Sequence, residues 1–273
     1  MDDELPGGVW RLDPAMGQGL RLQRVRKALE TGDLESAVQE AEELLDEAPR
    51  HPEALFLLGE ALLELGDYEV ALTTFQQRVA IDGGDVSSLL GLGIAAFQIC
   101  ELQLSVETTR EVIRLEPDLA EAHYYLGLAL ERLSGHSGES LNELMAAYQL
   151  SPKQFPLPRD LSRADWQDLV AGAVARLPER LHPFYSSLPF TIEDLPTLDE
   201  LRQHDPPLPP TIAAMHTGEP PEDCDPWEHR PDNIRLFARN LARAPTPEEL
   251  VDQLRQALLD EAQHWLGIGP EEL

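Results

Sequence analysis

The sequence predicts a mostly α protein in which a solenoid of four helix pairs is followed by a small α/β domain. Three observations carry that expectation. A 34-residue period runs over 18–152, with Gly59, Gly93 and Gly127 one period apart and Leu58, Leu92 and Leu126 moving with them. Within a period, two apolar stripes at helical spacing flank a turn such as Leu65-Gly66-Asp67. Beyond Gln154 the period stops, prolines become frequent, and short alternating stretches replace the long stripes.

The repeating unit is clearest at 52–85, PEALFLLGEALLELGDYEVALTTFQQRVAIDGGD. Gly59 and Ala71 stand where two helices must approach closely, and Leu55, Leu58, Leu62, Tyr68 and Phe75 fill between them. Gly32-Asp33 repeats the turn at Gly66-Asp67, Ala37 repeats Ala71, and Pro49, Pro117 and Pro152 sit at or beside the closing position. The register begins at Gln18, Pro52, Val86 and Ala120, with one residue inserted in the last unit. This spacing and residue set resembles the tetratricopeptide repeat, whose period is about 34 residues. A lone helix pair cannot bury its apolar face, whereas stacked pairs can.

The resemblance implies a concave face that binds proteins or peptides. The family's face positions fall here on Leu22, Arg26, Leu29 and Glu30, then on Glu53, Phe56, Glu60, Leu63 and Glu64. The third unit supplies Leu90, Ile94, Phe97 and Gln98, and the fourth Glu121, Tyr124, Leu128, Glu131 and Arg132. Together they describe an apolar groove with acidic edges. The Lys/Asn pattern by which some members clamp a C-terminal carboxylate is missing. The expected ligand is a basic, partly apolar segment, from another protein or from this chain's own second domain.

In chain order, 1–17 reads as a leader rich in Gly and Pro, with Trp10 placed to dock on the first helix. The repeat domain spans 18–153. Its first helix carries Arg21, Arg24, Arg26 and Lys27, read as a solvated face paired with neighbouring glutamates. The stretch Gly91-Leu-Gly93-Ile-Ala-Ala96 mimics a dinucleotide fingerprint, but it lies inside a predicted helix rather than between a strand and a helix, so no nucleotide is expected. A linker is predicted at 154–161 and a second domain at 162–273. There Ser162 caps a helix to about Arg176, 190–193, 212–216 and 234–239 are candidate strands, and HDPPLPP at 204–210 is irregular because proline removes donors and fixes φ.

With 50 acidic and 21 basic residues the net charge is −29. A field of that sign argues against nucleic acid and anionic membranes as partners. Cys100 and Cys224 form neither a disulfide framework nor a CxxC pair. No basic-then-apolar leader and no membrane-length apolar run is present. A cytoplasmic protein is expected.

The last helix is predicted to start after Thr246, with Pro247 at its first position and Glu249 completing a capping box, and to end at Gly267. Leu250, Val251, Leu254, Ala257, Leu258, Ala262, Trp265 and Leu266 share one arc, into which Glu261 intrudes. Residues 260–267, DEAQHWLG, together with the preceding FTIEDLP, IAAMHTG and IRLFARNL, resemble the small bacterial zincin-like metallopeptidases and their HExxHxxG helix. The resemblance covers about 163–273. It implies Glu261 as general base and His264 as the second metal ligand. Asp260 replaces the first histidine, Pro270 meets the place of the acidic third ligand, and Glu271 falls one position late. With two of three ligand positions altered, the expectation is a degenerate, non-catalytic domain with no metal or a weakly bound one. The alternative is an active peptidase in which Asp260, His264 and Glu271 hold zinc or, given carboxylate-rich ligands, manganese, and the repeats recruit substrate. His204, His216 and His229 read as surface histidines in or beside loops.

Overall fold

The computed structural model describes residues 14–185, 188–218, 227 and 229–269, and these cluster in two compact units divided between Ala96 and Phe97. The first unit holds α1 (Pro14–Thr31), α2 (Leu34–Glu47), α3 (Pro52–Leu65), α4 (Tyr68–Val79) and most of α5 (Val86–Gln98). α3 and α5 begin on the expected register. α1 begins earlier, so residues 14–17 belong to a helix rather than to the leader; proline is at home in the first helical turn, where its missing N–H costs nothing. Trp10 lies outside the described residues.

The core of this unit is built from small residues. Ala37, Ala41, Ala54, Ala61 and Ala71 have no exposed surface, and neither does Phe75. A Cβ added at Gly59 would lie 2.6 Å from the Phe75 ring, which is why the repeat needs glycine there. Pro52 opens α3 beneath His51, whose Nδ1 accepts from the Ala54 N–H, and Gly66 closes it at φ 88°. The basic cluster is paired as expected: Arg21 with Glu43 and Glu47, and Arg24 with Glu40. Gly91, Gly93 and Ala96 lie inside α5, the helix in which they were expected.

The second unit holds α6 (Leu102–Leu115), α7 (Ala120–Arg132) and α8 (Ser137–Leu150), followed by the α/β domain. α8 starts one residue late against the 34-residue register, and Gly135 at φ 87° takes up the insertion. The expected linker is packed: Phe155 is 7% exposed and stacks on Tyr124 with ring centroids 4.6 Å apart.

The α/β domain runs through α9 (Arg163–Ala175), a 3-10 turn at Glu179–Leu181, α10 (His182–Tyr185), β1 (Phe190–Glu193) and α11 (Leu198–Leu201). It continues with β2 (Ala214–Thr217), β3 (Asn233–Phe237), α12 (Ala238–Leu241) and α13 (Pro247–Leu266). The sheet order is β1-β3-β2, with β1 parallel and β2 antiparallel to the central strand. Two expectations need correction. β2 starts two residues later than the predicted strand and ends one residue later. β3 ends at Phe237, and Ala-Arg-Asn-Leu turns into a helix: strong helix formers follow the last ladder bond, in which the Phe237 N–H donates to Ala213 O.

Strand register sorts the two faces. Phe190, Ile192, Ile234, Leu236, Ala214 and His216 share the face toward α9 and α13. Thr191, Glu193, Asn233 and Arg235 share the other. There Arg235 donates to Glu193 at 2.6 and 2.9 Å and to Glu200 at 2.6 Å. The guanidinium holds the Glu200 carboxyl down at about 2 against its ordinary 4.5. A depressed carboxylate contributes stability that is complete above the unfolded value and lost as pH falls through the folded one. The domain should therefore lose stability between about pH 4.5 and 2, by an amount reduced by the partial exposure of the pair. Arg235→Met should flatten that acid limb in urea titrations between these pH values; an unchanged slope would assign it to other carboxylates.

Candidate functional site

α13 is set by its ends and its stripe. The Thr246 hydroxyl oxygen accepts from the Glu249 N–H at 3.1 Å, Pro247 takes the first position, and Gly267 closes the helix at φ 65°. Leu250, Leu254, Ala257, Leu258, Ala262, Trp265 and Leu266 are buried. Asp260 and His264 are exposed, and Glu261 is half-buried on the side toward the sheet.

The sheet decides what Glu261 meets. Its Oε2 accepts two hydrogen bonds from His216, one from the main-chain N–H at 2.7 Å and one across Nδ1 at 2.6 Å. The His216 ring lies edge-on to His264 at 5.2 Å and to Trp265 at 5.3 Å. Trp265 Nε1 donates to the His229 carbonyl at 3.3 Å. His216 is thus no surface histidine. It sits on the buried-side row of β2 beside Ala214, and only the strand register reveals this. Asp260 instead accepts from Gln256 one turn back at 2.9 Å. With Glu261 it borders a cavity of about 450 Å³ that Asn240, Ile212 and Ala214 also line and His264 does not. Burial and the nearby Glu261 and Asp260 charges push the Tyr185 hydroxyl far above its usual range, so it stays a neutral donor, and it donates to Leu258 O.

The described donors do not by themselves make a zinc site. Among the described residues no three His, Cys, Asp or Glu side chains converge as ligands. The Oε2 of Glu261 is taken up by His216, and Asp260 is turned to Gln256. Glu271 and Pro270 lie outside the described residues.

The repeat-face residues fall into two sets. In the first unit Phe56 is half-buried, edge-on to Phe75 at 6.4 Å, with Leu90 and Ile94 also half-buried. Arg26 pairs with Glu53, Glu60 is half-buried, and Glu64 is exposed. In the second unit the expected groove is filled by the chain itself. Phe97 has no exposed surface and lies under the Arg132 guanidinium at 5.2 Å. Tyr124 is covered by Phe155. The Glu131 side chain is 5% exposed, and both its oxygens accept from Arg243 Nη2 at 2.8 and 2.9 Å, while Arg239 approaches at 3.2 Å. Arg132 donates to Pro210 O and Asn240 Oδ1, both at 2.7 Å, and burial lowers it to about 10. Glu121 is half-buried, and desolvation raises its carboxyl above the ordinary value. Of these positions, Glu131 pairs with Arg239 and Arg243 of the same chain.

Comparison with known proteins supports both halves. A family model described as tetratricopeptide repeat matches residues 22–86, and one described as zincin-like metallopeptidase matches 185–273. Among solved structures, MamA from Desulfovibrio magneticus RS-1 is 24% identical, covering 52% of this chain and 77% of its own, with a TM-score of 0.47. A thermophilic TPR protein, TTC0263 from Thermus thermophilus, is 22% identical over 50% of this chain and 75% of its own, with a TM-score of 0.43. YrrB, a TPR protein with an unusual peptide-binding site, is 17% identical over 50% of this chain and 71% of its own, with a TM-score of 0.46. These likenesses concern fold alone. No curated protein matches. Among the described residues no helix is long and apolar enough to cross a membrane. The chain carries a tetratricopeptide-repeat region and a zincin-like metallopeptidase domain.

Proposed function

We propose that the protein is an interaction scaffold: its repeats bind a basic, partly apolar protein segment, and its zincin-like domain serves that role without cleaving peptides. The observation that carries the second half is the His216–Glu261 pair. The carboxylate that the resemblance casts as general base is held by a main-chain N–H and an imidazole, while the residue in the first-ligand place is an aspartate bonded elsewhere. With an aspartate in the first-ligand place, the ligand set that would acidify a water for this base is incomplete. Catalysis therefore fails at water activation, before substrate binding is at issue.

The first half rests on the faces. Glu53, Glu60 and Glu64 surround half-buried Phe56 and Leu63, a surface that favours cationic segments with an apolar anchor. The docking of Arg239 and Arg243 on Glu131 is an internal instance of the same chemistry. An external ligand is left the face positions of the first two repeats and the start of the third.

Two measurements test the proposal. A peptide of alternating lysine and leucine should bind the full chain and lose about three- to tenfold in affinity between about 0.05 M and 0.5 M salt, as screening shortens the reach of exposed charges. Its acidic counterpart should not bind; equal binding of both would refute the groove assignment. The unaltered protein should take up no stoichiometric zinc or manganese in calorimetry and leave unfolded protein substrates intact. Tight metal binding with proteolysis would establish the active-peptidase alternative instead.

A further inference from the structure

The sheet has an open edge at β1, on the side away from α13's meeting with β2. β1 pairs only with β3 among the described residues. The Pro189 carbonyl accepts from the Ile234 N–H, and in a parallel ladder the main-chain groups of Thr191 and Glu193 then also point to β3. The N–H and C=O groups of Phe190 and Ile192 therefore point outward. Such an edge is a template for another strand, and proteins ordinarily blunt it with charge, proline or a covering element.

This edge carries an apolar groove. A cavity of about 620 Å³ lies between β1 and α9, lined by Trp166, Val170, Val174, Phe190 and Ile192. It meets a second cavity of about 730 Å³, which shares Trp166, Phe190 and Ile192 and extends past Arg159 and Asp194. Ile192 lies where the two join and is 38% exposed. The charge around it runs against that of the chain. The first cavity is bordered by Arg163 and His182 and, among the described residues, by no carboxylate. Arg163 makes no ion pair or hydrogen bond among the described residues, in a sequence with 50 acidic side chains. Arg159 donates to the Pro245 carbonyl rather than to an acid. Asp160 and Asp194 border the second cavity, and Asp194 is matched by Arg239 at 3.4 Å.

We propose that the groove over α9 and the outer edge of β1 form a docking site for an extended partner segment alternating apolar and acidic residues. The segment adds a strand beside Phe190 and Ile192 through main-chain hydrogen bonds. Its apolar side chains enter the groove beside Trp166 and Val170, and its carboxylates meet Arg163 and Arg159. Strand addition of this kind draws affinity from the main chain and specificity from alternate side-chain pockets. The ligand is opposite in charge to that expected of the repeat face, so one acidic chain recognises two classes of segment. The site shares no residue with α13.

The test uses the full chain and a blocked peptide of about eight residues alternating valine and glutamate, a typical strand length. Calorimetry should show saturable one-to-one binding, and no binding of the valine–lysine counterpart. Arg163→Glu should weaken the acidic peptide by about tenfold or more. Ile192→Pro should abolish binding while circular dichroism stays unchanged, because the N–H it removes points away from β3 and proline is tolerated there. Ile192→Ala keeps that N–H and should weaken binding only in part. Failure of the acidic peptide to bind overturns the proposal, as does binding indifferent to Ile192→Pro. A concentration-dependent dimer abolished by Ile192→Pro would also overturn it, by assigning the edge to a second copy of the chain.

Discussion

Replacing Glu131 by alanine should destabilise the second compact unit by about 3–5 kcal/mol, the magnitude found when one partner of a buried ion pair is removed. Glu131 accepts from Arg243, whose side chain is 7% exposed, and lies 3.5 Å from the guanidinium of Arg132, which is 1% exposed. Two guanidinium groups thus share one carboxylate, with Arg239 as a partly exposed third. Removing the carboxylate leaves buried cations facing each other. The geometry offers little relief, since Arg132 Nε and Arg243 Nε are already buried without partners. Glu131→Gln keeps the shape and one acceptor but not the charge, and should fall between alanine and the unaltered protein. The described tryptophans 166, 227 and 265 all lie in the second unit, so fluorescence-monitored urea unfolding follows the relevant transition. A loss below about 1 kcal/mol, the range of exposed pairs, would show the cluster to be solvated. The variant has a functional readout too. Freeing 239–243 from the fourth repeat opens its face positions, and the lysine–leucine peptide should then gain a second binding event.

Asp260→His combined with Pro270→Asp should raise zinc affinity by at least about a hundredfold, more than the ~10–100-fold that outer-shell partners contribute. The helical half of the argument is geometric. Residues 260 and 264 are one turn apart on α13 and both exposed, so two imidazoles there match the i, i+4 pair that holds zinc in HExxH helices. The His216 ring stands 5.2 Å from His264, but its Nδ1 is engaged by Glu261, so it is not counted among the ligands. Position 270 lies outside the described residues, and its choice rests on the family resemblance. Calorimetric titration of a folded variant decides the matter. No gain in affinity would refute the alignment of α13 with the zincin helix, whereas a gain without hydrolysis would fit a cleft whose Glu261 is still engaged by His216. Adding His216→Ala to the metal-binding variant frees that carboxylate and separates the two requirements.

Where the physics is local, the order of residues was enough to settle the outcome. The 34-residue period placed the starts of α3, α5 and α7 on the residue, because each unit repeats the same small-residue contact and the same turn. The ends of α13 were equally legible, since Thr246, Pro247 and Gly267 act within one helical turn of themselves. The strands were legible as alternation but not as boundaries. β3 stops at Phe237 because its pairing stops there, with Leu236 opposite Ala214 of β2 and Phe237 opposite Glu193 of β1, and a partner strand is a tertiary fact. The fate of the fourth repeat also needed the fold. Glu131 and Tyr124 carry the pattern of a ligand-binding face, and nothing within the repeat says that Arg243 and Phe155 occupy it. His216 is the sharpest case. In the sequence it is a histidine beside a loop, 45 residues from Glu261. It becomes the partner of that carboxylate only because an antiparallel strand turns it toward α13, and hydrogen bonds between distant residues leave no periodicity to read.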